Sequence, residues 1–142
     1  MAGFDLSSSN QYIHLWCTWS EKNIDATNNR STVNVAIYGQ RTNSGYTTYG
    51  TANTSVNVGG AVQSENGLSF TITNASATLL FAKDYVVVHN SDGSKSVTIS
   101  VSVNTDVFTG SGSGTATLTT ISRRATFSEY KVQSTRINDS SN

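Results

Sequence analysis

Along much of the chain apolar and polar residues alternate with a period of two. Ile13, Leu15, Cys17 and Trp19 alternate with Tyr12, His14, Trp16 and Thr18, and Val33, Val35 and Ile37 with Asn34, Ala36 and Tyr38. Leu68, Phe70 and Ile72 alternate with Ser69 and Thr71, and Val97, Ile99, Val101 and Val103 with Thr98, Ser100 and Ser102. Successive side chains of a strand point to opposite faces, so this pattern predicts antiparallel strands with one buried and one wet face. The runs are separated by turn-forming residues: Asn28-Asn29, Asn43-Ser44-Gly45, Gly59-Gly60, Glu65-Asn66-Gly67, Asp92-Gly93 and Gly110 to Gly114. Six to nine short strands joined in this way predict an all-β fold, an antiparallel β-sandwich of jelly-roll or immunoglobulin-like type.

Two segments carry sharper expectations. VVVHNSDGSKSVTISVSV, Val86 to Val103, predicts a hairpin turning at Asp92-Gly93, with Val86, Val88, Val97 and Ile99 on its buried sides. The GSGSG run, Gly110 to Gly114, predicts a flexible turn. From Phe127 onward the alternation fades, which divides the chain into a sandwich over residues 1–126 and a short C-terminal arm or linker over residues 127–142.

Composition narrows the function. Charged residues make up 13% of the 142 residues and the formal net charge is zero, against about 25% charged in ordinary domains. Ser, Thr, Asn and Gly fill the difference. A nucleic-acid partner would need a basic excess that is absent here. No apolar run is long enough to insert in a membrane. The N-terminal MAGFDLSSSN has neither a basic start nor an apolar stretch, so no signal peptide is expected and the chain is expected to fold in the cytoplasm where it is made. A single cysteine, Cys17, rules out an internal disulfide and reads as a core residue.

Chemistry-bearing patterns are few. There are two histidines, His14 and His89, and no G-x-S-x-G elbow or phosphate-binding G-x-x-x-x-G-K-[ST] loop. The nine acidic residues are scattered, mostly near turns, without a pairing that suggests glycosidase carboxylates. Asn90, Asp92 and Ser94 offer oxygens to calcium but lack the downstream Glu of an EF-type loop. No catalytic residue, metal site or cofactor is therefore expected. Aromatic residues say more. Trp16 and Trp19 lie three apart on one strand and must face opposite ways. Trp16, with Tyr12 and His14, forms an outward row suited to another chain, to the C-terminal arm or to a sugar ring, with Phe127 and Tyr130 as further interface candidates. In RTNSGYTTYGT, Arg41, Asn43, Tyr46, Thr48 and Tyr49 form a loop cluster in which rings stack on a saccharide while amide, hydroxyl and guanidinium groups bond its hydroxyls; the alternative is a tyrosine plugging one end of the sandwich.

Three segments, HLWCTWSEKNIDATNNRSTVNVAIYGQRTNSGYTTYG, VVVHNSDGSKSVTISVSV and SGSGTATLTTISRR, resemble in the same order a domain of unknown function in siphovirus tail structural proteins, from phages of Gram-positive bacteria. Ser122 stands where that family commonly has Pro, and longer relatives continue into further domains. The resemblance implies a virion component of the tail tip or host-adhesion apparatus, partnered by other tail proteins and by host cell-wall saccharide. It further implies a homo-oligomer, a trimer by analogy. The matching His89, Asn90, Asp92, Gly93, Ser94 and Lys95 read as a turn signature. A purely structural virion subunit, such as a decoration protein or fibre anchor, and a carbohydrate-active enzyme module are the competing readings.

Overall fold

The structure, a computed structural model, describes residues 2–122. Its strands are β1 (Ala2–Asp5), β2 (Ile13–Asp25), β3 (Arg30–Arg41), β4 (Thr48–Val58), β5 (Ala61–Ile72), β6 (Thr78–Val88), β7 (Ser96–Thr105) and β8 (Thr109–Thr117). They build two four-stranded antiparallel sheets, ordered β1-β2-β3-β6 (sheet A) and β5-β4-β7-β8 (sheet B). The inward residues of the alternating runs meet between the sheets: Leu15, Cys17, Val33, Val35 and Ile37 from sheet A, and Val56, Phe70, Ile72, Ile99 and Val103 from sheet B. This is the antiparallel sandwich that the alternation predicts. Phe127, Tyr130 and the proposed arm lie outside the described residues.

The segment around Asp92-Gly93 corrects the sequence reading. It does not close a hairpin. β6 pairs with β3, whereas β7 pairs with β4 and β8, so residues 89–95 cross from one sheet to the other. The expected tight turn is present within that crossing, with Gly93 at φ 90° and its N–H donating to the Asn90 carbonyl at 2.8 Å. The buried set of β6 is also the other parity. Tyr85, Val87 and His89 point inward, while Val86 and Val88 are 61% and 63% exposed; Val97 and Ile99 are buried as expected. Both parities of the run Tyr85 to Val88 are apolar, so alternation could not choose between them.

The GSGSG run is a second correction. It is the interior of β8, not a turn. Its glycines face inward, beneath the N-terminal segment that runs from sheet A to the free edge of sheet B. There Ser7 and Ser9 donate their N–H groups to the Ser111 and Thr109 carbonyls at 2.8 and 2.9 Å. Their hydroxyls accept the N–H groups of Ser111 and Thr109 in return. A Cβ on Gly110 would run into the Ser7 carbonyl and lie 2.6 Å from Leu15, and one on Gly112 would lie 2.8 Å from Leu6. Glycine here admits a neighbouring backbone, a common use of glycine inside a strand.

Candidate functional site

Parts of all three resembling segments converge on one end of the sandwich. His89 is 5% exposed. One ring nitrogen, Nδ1, lies 2.7 Å from the Gly93 carbonyl oxygen, and Nε2 lies 2.7 Å from Ser31 Oγ. A carbonyl only accepts, so Nδ1 carries the proton and, in the neutral ring, Nε2 accepts from the Ser31 hydroxyl. The same Gly93 carbonyl accepts the Ile121 N–H at 2.9 Å, and the Lys95 carbonyl accepts that of Leu118. Leu118 and Ile121 are buried. Asn29, in the left-handed region at φ 55°, donates its side-chain amide to the His89 and Asn90 carbonyls, and its own carbonyl accepts the His89 N–H. The Asn-rich turn, the His-Asn-x-Asp-Gly-Ser-Lys crossing and the Leu-Thr-Thr-Ile ending are thus one interlocked knot. Thr119 extends it to β2 by donating its N–H and hydroxyl to the Glu21 carboxylate.

Ser31 and His89 have the contact geometry of a nucleophile and its base, with a carbonyl where a triad has a carboxylate. Ser31 is 1% exposed. The pair satisfies two buried polar groups. The exposed Asp92 carboxylate accepts from the Ser94 hydroxyl at 2.6 Å and from the Ser94 N–H, and these bonds hold it below the ordinary carboxylate range. The crossing loop closes on itself through these bonds and those between Asn90 and Ser94, while beside it the buried Oδ1 of Asn29 has no hydrogen-bond partner among the described residues. Among the described residues, no group of three or more His, Cys, Asp or Glu side chains is placed to hold a metal ion.

The other end of the sandwich holds the loop cluster expected to bind saccharide, and the structure divides it. Tyr46 packs against the core and accepts a hydrogen bond from Asn10 Nδ2 at 2.8 Å, while its ring stacks on Tyr12 with centroids 5.2 Å apart. This is the plugging tyrosine of the alternative reading. Arg41 donates from Nη1 to the Tyr46 and Thr73 carbonyls, each at 3.3 Å, and so braces the loop. Asn43 accepts the Gly45 N–H in a local turn. Thr48 is buried, which corrects its assignment as a surface ligand group. Only Tyr49 presents a large ring, at 78% exposure, and it does so from β4, on the outer face of sheet B.

The outward row on sheet A is likewise rearranged. Tyr12 leaves the row for Tyr46. His14 stacks on Trp16 (4.8 Å), and Trp16 on Tyr38 (5.6 Å), its direct cross-strand partner. Leu79, 49% exposed, pairs with Tyr38 and extends the band across the sheet. His14 Nε2 is 3.0 Å from Asp5. Trp19 turns to the core, as the spacing from Trp16 requires. The rings of this ladder cover one another's faces. Tyr38 and Leu79 were missed as candidates, although the outward position of Tyr38 follows from the alternation of β3.

No family model matches the chain, and neither a curated protein nor a solved structure matches it.

Proposed function

We propose that the chain is a structural module of a phage virion, in the tail tip or host-adhesion apparatus, and that it contributes to binding of host cell-surface saccharide. The resemblance in sequence supplies the virion assignment. The observation that supports it most is the Gly93 carbonyl, which receives both His89 and Ile121 and so ties two of the resembling segments together. A signature whose residues lock loops to sheets belongs to a scaffold: His89, Asn29 and the Gly93 carbonyl spend their hydrogen bonds within the fold. The buried Ser31–His89 pair gives the enzyme reading no accessible nucleophile.

The band of Trp16, Tyr38 and Leu79 supports assembly into a homo-oligomer, by analogy a trimer, or contact with other tail proteins. Rings stacked face to face keep their edges outward and suit packing against another chain. A purely structural subunit is the second reading, favoured by this band alone. Antibodies against the chain are expected to label the tail tips of intact particles in electron micrographs; label absent from particles refutes the virion assignment. Retention of a multimerised domain on purified Gram-positive cell walls separates adhesion from scaffold, and no retention favours the purely structural subunit. Sedimentation at micromolar concentration decides the oligomer, with a persistent monomer counting against it.

A further inference from the structure

The two outer faces of the sandwich differ in kind. Sheet A carries ion pairs, among them Lys22–Asp84 and Arg30–Asp25, beside its aromatic band. Sheet B carries no charge on the outward positions of β4, β7 and β8. On β7 the exposed series runs Ser96, Thr98, Ser100, Ser102 and Asn104, and on β8 every exposed strand position is Ser or Thr. The chain has nine basic and nine acidic residues, and none of those among the described residues stands on the outward positions of these strands. Solvated sheets ordinarily use Lys and Glu to stay soluble and to discourage pairing.

The register sets these groups in order. Ser64 is opposite Ser55, Ser55 opposite Ser102 and Ser102 opposite Ser111, so one row of serines crosses all four strands of the sheet. Asn53, Asn104 and Thr109 form the neighbouring row. Strand spacing and pleat make this a grid of about 4.8 Å by about 6.7 Å. The Ser102 hydroxyl and the Asn104 amide have no hydrogen-bond partner among the described residues. Tyr49 stands at one corner of the same face with its ring open to solvent.

We propose that this face binds a neutral polysaccharide chain lying along β4 and β7, with Tyr49 stacking on one sugar and Thr51, Asn53, Ser102 and Asn104 bonding hydroxyls. The assignment rests on the saccharide reading above and moves the site from the Arg41–Tyr49 loop to the sheet. Each candidate partner makes different demands. An anionic polymer or nucleic acid needs Lys or Arg, which the face lacks among the described residues. A protein partner needs an apolar centre, whereas the large apolar groups here are Val62 and Tyr49, set apart on different strands. Neutral sugar hydroxyls both donate and accept, as Ser, Thr and Asn side chains do. Each such bond adds little, so recognition depends on many in register and on multiple copies.

The test is affinity electrophoresis of the full chain through gels containing matched polymers: hydroxyethyl cellulose against carboxymethyl cellulose, and glycol chitin against chitosan. Retardation by a neutral member and not by its charged counterpart is expected. Tyr49→Ala should weaken it about three- to tenfold, and Ser102→Glu should abolish it, while Val86→Ala, exposed on the outer face of sheet A and outside its aromatic band, leaves it unchanged. Far-UV circular dichroism of each variant guards against misfolding, and all three positions lie outside the buried core. The proposal is overturned if no neutral polymer retards the chain or if the charged members are preferred. It is equally overturned if Ser102→Glu binds normally, or if that variant instead splits an oligomer, which would make the face a contact between copies. Labelled tail tips together with no retardation would discard this face and leave the virion assignment standing; retardation without label would do the reverse.

Discussion

Gly110→Ala changes the sign of its effect according to what the GSGSG run is. In a flexible turn, removing a glycine restricts the unfolded chain and stabilises the fold by about 0.4–1 kcal/mol. In β8 the new methyl meets the Ser7 carbonyl and lies 2.6 Å from Leu15, with no room on its side of the strand. Overpacking of this kind costs about 1–3 kcal/mol. Subtracting the entropic gain leaves a net loss of about 0.5–2 kcal/mol. The loss has a ceiling, because the N-terminal segment can peel away instead. Peeling gives up the reciprocal Ser7–Ser111 and Ser9–Thr109 bonds, at about 0.5–1.5 kcal/mol each, and the burial of Leu6, about 2 kcal/mol. The ceiling lies above the local cost, so the segment stays and the core adjusts. With a urea slope of about 2 kcal/mol/M, the unfolding midpoint should fall by about 0.3–1 M. Deleting residues 1–8 should remove most of that difference, since the obstructing carbonyl goes with them. A midpoint that rises in the intact chain, or a loss that persists in the truncated one, would refute the packing account of these glycines.

Three further outcomes follow from the knot and the core. Gly93→Val places a β-branched residue at φ 90° and should destabilise the fold by about 1–3 kcal/mol; an unchanged urea midpoint would show that the crossing is held by other means. His89→Ala strands the buried Ser31 hydroxyl and opens a cavity, for a loss of about 2–4 kcal/mol, and equal stability to the parent would remove His89 from the knot. Burial pushes the Cys17 thiol from an ordinary 9.0 up to about 12 and the Tyr85 phenol from 10.0 up to about 12. The folded state therefore holds these protons more tightly, and the stability they support is complete below about pH 9 and declines as pH rises toward 12. The slope contributed by the thiol is at most about 1.4 kcal/mol per pH unit, and Cys17→Ala should flatten the decline between pH 9 and 10 in urea titrations; an identical slope in the variant would contradict it.

The alternation by itself determined the class of fold and most of the core, because a period of two leaves one way to bury Leu15, Cys17, Val35 or Ile99. It also placed Trp16 and Trp19 on opposite faces, and the Asp92-Gly93 pair marked a tight turn. It could not say which strand pairs with which, since a strand alternates in the same way whether its neighbour follows a hairpin or lies in the other sheet. That is why residues 89–95 looked like a hairpin turn and proved to be a crossing. Where both parities are apolar, as from Tyr85 to Val88, the inward set was decided by pairing with β3, where Val33 meets Tyr85. Glycine was the least legible residue: the freedom that marks a turn and the missing side chain that admits a neighbouring backbone look identical in sequence, and only the path of Phe4 to Ser9 over β8 distinguishes them. The uncharged face of sheet B was equally hidden. Its serines are scattered along the chain, and they become one row only when the register sets Ser64, Ser55, Ser102 and Ser111 side by side.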